Sequence, residues 1–112
     1  MKKENILSVL IILAVVVLAY FIINLNFQEV PEETARCIGN NSVLYVQLGC
    51  SHCRTQENLF GESYKYINFV DCFYERQKCI DLNIQATPTW VIKGEKYSGV
   101  QEINKLKELT GC

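Results

Sequence analysis

LGCSHCRTQENLFG occupies Leu48 to Gly61, and its two cysteines, Cys50 and Cys53, flank Ser51 and the chain's single histidine, His52. A pair spaced this way is a disulfide staple, half of a metal site or a reactive dithiol, and its surroundings decide among these. Before it lies VLYVQL (Val43–Leu48), β-branched and apolar, which reads as a buried strand. After it, Ser51 to Phe60 carries helix signals, and Gly61 supplies a helix end. Cys50 is therefore expected where a strand hands over to a helix. Unpaired N–H groups and the positive end of the helix dipole favour a thiolate there, and the thiolate is the form that attacks disulfides. A protonated His52 beside it would stabilise that anion further. Cys53, about one turn further in, is expected to be more buried and placed to resolve a mixed disulfide formed at Cys50.

Working outward, YINFVD (Tyr66–Asp71) reads as a second strand. Glu75–Leu82 reads as a short helix with Cys79 and Leu82 on one face and Asn83 as a left-handed stop. TWVI (Thr89–Ile92) is a third strand, turning at Lys93–Lys96 into a fourth, Tyr97–Gly99. A last helix, Gln101–Leu109, turns Ile103 and Leu106 inward and stops at Gly111. The order is β-α-β-α-β-β-α. The first strand–helix–strand unit requires a parallel pair with a right-handed crossover, and the short turn requires an antiparallel hairpin. An α/β domain with a four-stranded mixed sheet flanked by helices satisfies both. Thr87-Pro88 stands just before the third strand, where proline is tolerated. A cis bond at that point would present the backbone of Thr87 beside the cysteine pair.

These chained motifs resemble the thioredoxin superfamily. More narrowly, CSHCRTQENLFG, YKYINFVDC, TPTWVIKGEKYSGVQ and the terminal Gly111-Cys112 resemble the small thioredoxin-like domain fused to vitamin K epoxide reductase homologues in bacteria and plants. The resemblance covers about Cys37 to Cys112. It implies a minimal thioredoxin-like fold and a cis Thr87–Pro88 bond. It also implies thiol–disulfide exchange, with a quinone-linked, vitamin K epoxide reductase-like membrane enzyme regenerating the pair. Only one span is visible here, so such a reductase is expected to be a separate partner. Ser51 stands where many relatives carry proline. Leu44 stands six positions before Cys50, where full-length thioredoxins bury an acid, so water or a peripheral group such as Glu57 is left to handle protons. The expected catalytic set is Cys50 as nucleophile, Cys53 as resolving thiol and His52 as tuning group. Thr87, Pro88, Ser51 and Trp90 are expected at the substrate groove, although strand alternation also suits Trp90 and the tyrosines to packing. The redox disulfide itself does the chemistry, so no dissociable cofactor is expected.

The other cysteines are Cys37, Cys72, Cys79 and Cys112. With Cys50 and Cys53 paired, they allow three connectivities. The simplest joins Cys72 to Cys79, at the end of a strand and on the next short helix, and Cys37 to Cys112, which bracket the domain. Structural disulfides suit a core of about 76 residues, a marginal size. The functional alternative is that Cys72 or Cys79 passes electrons to a partner. A zinc ribbon would need a second knuckle, and the spacing of Cys72 and Cys79 fits one badly. A Cu(I) carrier using Cys50, Cys53 and His52 is the other reading, but it has no evident need for the Thr-Pro turn. No bound metal is expected.

The N-terminal part is a separate object. ILSVLIILAVVVLAYFII (Ile6–Ile23) is uncharged and long enough to cross a membrane. A cleaved signal has a shorter apolar region, ~7–15 residues, ending at small residues; here the run ends in Tyr20, Phe21, Ile22 and Ile23. The segment reads as an anchor over residues 1–23, followed by an acidic linker, 24–36, and the domain, 37–112. Lys2 and Lys3 precede the span and no basic residue follows it until Arg36. The positive-inside rule then puts the N-terminus in the cytoplasm and the domain outside, where disulfides persist. A net charge of −1 with no basic patch offers nothing to nucleic acid. The expected partners are cysteine-containing exported proteins and the membrane itself. In intact cells, an alkylating reagent confined to the cytoplasm should modify none of the six cysteines after reduction. Labelling of any of them would reverse the orientation.

Overall fold

A computed structural model describes residues 2–25 and 29–112; residues 26–28, in the first part of the stretch read as a linker, lie outside them. Helix α1, Lys3–Leu25, buries none of its residues. Its 23 residues span about 34 Å at 1.5 Å per residue, enough for a hydrocarbon layer of ~30 Å. Among the described residues it is the one helix long and apolar enough to cross a membrane.

The next helix, α2 (Glu32–Asn40), differs from expectation, because its first half was read as linker. Pro31 leads into it with φ −55°, and Glu32 and Glu33 occupy the first turn, where carboxylates oppose the positive end of the dipole. Its inner face is only Ala35, Ile38 and Gly39, all buried. Outside, Arg36 pairs with Glu32 at 2.8 Å and lies 4.2 Å from the centre of the Tyr66 ring. So short an apolar stripe, set among charges, gives little periodic signal. Val30 is also buried in the core, which therefore begins before Cys37.

The sheet has the order β2-β1-β3-β4. Its strands are β1 (Val43–Val46), β2 (Phe69–Asp71), β3 (Thr89–Ile92) and β4 (Glu95–Ser98). As expected, β1 and β2 are parallel, while β1–β3 and β3–β4 are antiparallel. Lys93 and Gly94 both take positive φ at the hairpin, as a two-residue turn matched to strand twist requires. Between β1 and β2 run α3 (Ser51–Phe60) and a 3₁₀ helix, Gly61–Tyr66, which replaces the start of the longer second strand read from YINFVD. Helices α4 (Arg76–Asp81) and α5 (Ile103–Thr110) complete the fold. Asn83 after α4 and Gly111 after α5 take positive φ, the stops read from sequence.

Strand alternation sorts the core into two layers. Leu44 and Val46 of β1, with Trp90 and Ile92 of β3, face one side. There they pack with Ala35 and Ile38 of α2, Cys53 and Phe60 of α3, and Leu106 of α5. Tyr45 and Val70 face the other side, against Cys79 of α4 and the partly buried Ile84. Trp90, assigned to the substrate groove from sequence, is fully buried in the first layer with Phe60, its ring centroid 6.0 Å away. It is a core residue, because its position in β3 points it at α3 and away from solvent.

Two disulfides tie the edges. Cys37–Cys112 joins α2 to the chain's last residue across 75 positions, with Cα atoms 6.0 Å apart. Closing so long a loop removes roughly 4 kcal/mol of unfolded-state entropy in the chain-entropy picture. Cys72–Cys79 joins the end of β2 to α4. Gly39 is needed for a different reason. A Cβ there would collide with the Tyr66 carbonyl oxygen, so α2 can approach the 3₁₀ helix only without a side chain. Gly39→Ala should cost about 1–3 kcal/mol in urea unfolding at unchanged m-value. An unaltered midpoint would mean that this close approach is not needed.

Candidate active site at the head of helix α3

The chain leaves β1 through Gln47, Leu48 and Gly49, where Gly49 takes φ 84° and Cys50 N–H donates to the Gln47 carbonyl at 3.0 Å. This tight turn delivers Cys50 to the N-cap of α3. An N-cap side chain normally offers oxygen to the exposed N–H groups of the first turn. Here it is sulfur: Cys53 N–H donates to Cys50 Sγ at 3.1 Å. The Thr87 hydroxyl donates to the same sulfur at 3.5 Å. Two donors and the helix dipole thus converge on Cys50 Sγ, and each favours the thiolate once the pair is reduced.

Cys50 and Cys53 form a disulfide, with Cα atoms 5.2 Å apart. Their environments differ. Cys50 is half-buried at the rim, whereas Cys53 is 7% exposed and belongs to the core. A thiolate arriving from solvent meets Cys50 first. Ser51 and His52 sit on the outer side of the first helical turn and are exposed; neither side chain is hydrogen-bonded among the described residues.

The Thr87–Pro88 bond is cis and lies against the pair, with the Thr87 carbonyl oxygen 3.5 Å from Cys50 Sγ. Thr87 is half-buried, while Pro88 is fully buried beneath it. The loop is held from both sides. Gly99 N–H donates to the Pro88 carbonyl at 2.8 Å, and the Thr89 hydroxyl donates to the Ala86 carbonyl at 2.6 Å. Of the four groove residues expected from sequence, Thr87 and Ser51 are accessible, Pro88 supports Thr87 from below, and Trp90 is inside.

Gln56 was missed. It is fully buried on the same face of α3 as Cys53 and Phe60, and every polar atom of its side chain is used. Its Oε1 accepts from Trp90 Nε1–H at 3.0 Å and from Gln101 N–H at 2.7 Å. Its Nε2 donates to the Gln101 carbonyl at 3.0 Å. The available signal was spacing: a polar residue three positions after Cys53 and four before Phe60, on the apolar stripe.

Beside the pair opens a cavity of about 240 Å³, bordered by Cys50, Cys53, Arg54, Glu57, Tyr64 and Asp71. Leu44, where a buried acid was looked for, is fully buried among apolar side chains. The polar groups near Cys53 come instead from the cavity. Burial, followed by the nearby Glu57 and Asp71 carboxylates, pushes the Tyr64 phenol up from 10.0 to about 12. Among the described residues, no three His, Cys, Asp or Glu side chains gather in a way that could hold a metal ion. Because the Tyr64 pKa is raised in the folded chain, its contribution to stability is complete below pH 10 and is lost as pH rises towards 12. Tyr64→Phe should remove that part of the alkaline loss of stability, measured as urea midpoint against pH. An unchanged alkaline limb would place its cause elsewhere.

No family model matches the chain. Over 106 residues it is 34% identical to the thiol-disulfide oxidoreductase LTO1 of Arabidopsis thaliana, a match covering 84% of this chain and 28% of the relative. The chain thus spans little more than a quarter of that curated relative. Among solved structures, a domain of the alkylhydroperoxide reductase AhpF of Enterococcus faecalis matches at TM-score 0.49 and 18% identity, over 75% of this chain and 46% of that one. The oxidised thioredoxin of Plasmodium falciparum matches at TM-score 0.47 and 20% identity, over 73% of this chain and 90% of that one. With its paired cysteines opening the helix after the interior strand β1 and a cis Thr87–Pro88 peptide beside them, the chain carries a domain of thioredoxin-like architecture.

Proposed function

We propose that this chain is a membrane-anchored, extracytoplasmic thiol–disulfide oxidoreductase that forms or isomerises disulfides in exported proteins. The observation that carries the reading is the environment of Cys50 Sγ, which receives N–H and O–H donors at the N-cap of α3 while Cys53 stays buried behind it. A related chain named as a thiol-disulfide oxidoreductase supports the same chemistry.

The cycle follows from that asymmetry. A substrate thiolate attacks Cys50 Sγ, the Cys50–Cys53 bond breaks, and Cys53 leaves with the electron pair and takes up a proton. A second substrate thiolate then displaces Cys50, so that the substrate gains a disulfide and the domain becomes a dithiol. Stabilising the Cys50 thiolate stabilises the reduced domain, which makes the disulfide form an oxidant. His52, adjacent in sequence and exposed, pushes further in this direction when protonated. Thr87, lying against Cys50, would receive the substrate backbone beside the reacting sulfur.

The remaining features concern location. Helix α1 serves as the anchor, with Lys2 and Lys3 on the cytoplasmic side. Confinement to the membrane raises the effective concentration of the domain near a membrane-bound redox partner. In keeping with the sequence resemblance, that partner is a quinone-linked, vitamin K epoxide reductase-like enzyme, which reoxidises the dithiol. Cys72–Cys79 and Cys37–Cys112 remain structural throughout the cycle.

Cys50→Ser should reduce exchange with a model dithiol to the uncatalysed rate, and Cys53→Ser should accumulate mixed disulfides through Cys50. A reduced chain that exchanged no faster than free dithiol and instead held a stoichiometric Cu(I) ion would establish the carrier reading in place of this one.

A further inference from the structure

A buried thiol cannot attack until it loses its proton, and Cys53 is buried. On the sheet side it meets a closed apolar layer that includes Leu44 and Val46, which accept no proton. The cavity of about 240 Å³ that Cys53 borders is the outlet, with ample room for water.

Four charged or titratable groups other than the cysteines border it: Arg54 and Glu57 from α3, Tyr64 from the 3₁₀ helix and Asp71 from β2. Arg54 is a cation with no acceptor capacity. Tyr64 stays a neutral phenol up to about pH 12. Asp71 is already engaged, since its Oδ1 accepts from Phe73 N–H at 2.9 Å and from Leu48 N–H at 3.3 Å. Glu57 differs from all three. It lies four residues after Cys53, on the same side of α3. Its carboxylate is in no ion pair and no side-chain hydrogen bond among the described residues.

We propose that Glu57 is the proton acceptor for Cys53, acting through water in this cavity. The inference rests on the reading of Cys50 and Cys53 as an exchanging pair. In the resolving step the Cys53 S–H proton passes to the Glu57 carboxylate, and the resulting thiolate attacks Cys50 Sγ of a mixed disulfide. The Cys50–Cys53 bond forms as the bond from Cys50 to the bound thiol breaks, and that sulfur leaves as a thiolate with the electron pair. The domain is oxidised, the leaving sulfur is reduced, and the proton on Glu57 goes to that sulfur or to solvent. In the opposite direction Glu57 protonates Cys53 as it departs.

A carboxylate beside a thiol has two effects of opposite sign, and these make the proposal testable. As a charge it disfavours the thiolate, so removing it lowers the thiol pKa and quickens attack. As a base it removes the proton, so removing it slows attack. The full chain in detergent, with the Cys50–Cys53 pair reduced, is mixed with a dithiobis(nitrobenzoate) disulfide in a stopped-flow instrument. The first equivalent of coloured thiol reports attack by Cys50, and the second reports resolution by Cys53. Glu57→Gln should leave the first phase intact and slow the second at neutral pH by on the order of 10²-fold, the low end for a positioned base. Its second phase should then climb with pH as hydroxide takes over, and Glu57→Asp should recover part of the rate. A second phase that is unchanged or faster in Glu57→Gln overturns the proposal and leaves the exchange reading standing. Absence of the first phase in the unsubstituted chain sinks both.

Discussion

Gln56 is the constraint on which the geometry of this domain depends. It is a buried polar side chain whose three hydrogen bonds reach β3 through Trp90 and the segment before α5 through Gln101. Each such bond contributes only about 1 kcal/mol net. The larger consequence is that α3 cannot rotate or slide without leaving the Trp90 N–H buried and unpaired and the half-buried Gln101 backbone without its partner. The head of α3 is less than two turns from Gln56, so the same bonds that order the core also fix Cys50 against Thr87. Trp90 follows Pro88 by two residues, and the loop on the other side of the sulfur is anchored through the same point.

Rigid placement allows two chemically identical cysteines to differ. Cys50 caps a helix and collects donors at the rim, while Cys53 takes its place in the apolar layer with Phe60, Leu44 and Trp90. The first environment lowers the cost of an anion and the second raises it. An exchange cycle needs this ordering, because the sulfur that meets the substrate must be the better nucleophile and leaving group. Burial of Cys53 then creates a proton problem, and the cavity bordered by Glu57 and Tyr64 beside it has room for water.

Much of the site was legible because it is local. The strand VLYV, Gly49, the cysteine pair and the helix to Phe60 are contiguous, and so are Thr87-Pro88 and the strand after them. The hairpin itself and the left-handed stops at Asn83 and Gly111 were legible from residue type, whereas the turn is the two residues Lys93-Gly94 and not the four of Lys93–Lys96, so β4 begins at Glu95 and not at Tyr97. Helix α2 was not legible in full. Its inner face is three small or aliphatic residues, and the charges around them describe a linker equally well until Tyr66 and the C-terminus are packed against it. Trp90 was expected at the groove beside Pro88 as well as suited to packing by strand alternation; within β3 it shares the face of Ile92 and packs with Leu44 and Phe60 in the core.

By itself, then, the sequence determined the order of elements, the strand-to-helix position of Cys50 and the presence of a Thr-Pro turn, because these are properties of neighbours along the chain. Tertiary structure alone decided that Thr87 meets Cys50 across 37 positions, that Gln56 joins Trp90 and Gln101 across 34 and 45, and that Cys37 meets Cys112 across 75. Those contacts depend on how the helices settle on the two faces of the sheet, and the same settling left Cys53 inside with a cavity bordered by Glu57 and Tyr64 beside it. Residue type supplied the thiols, and packing made them unequal.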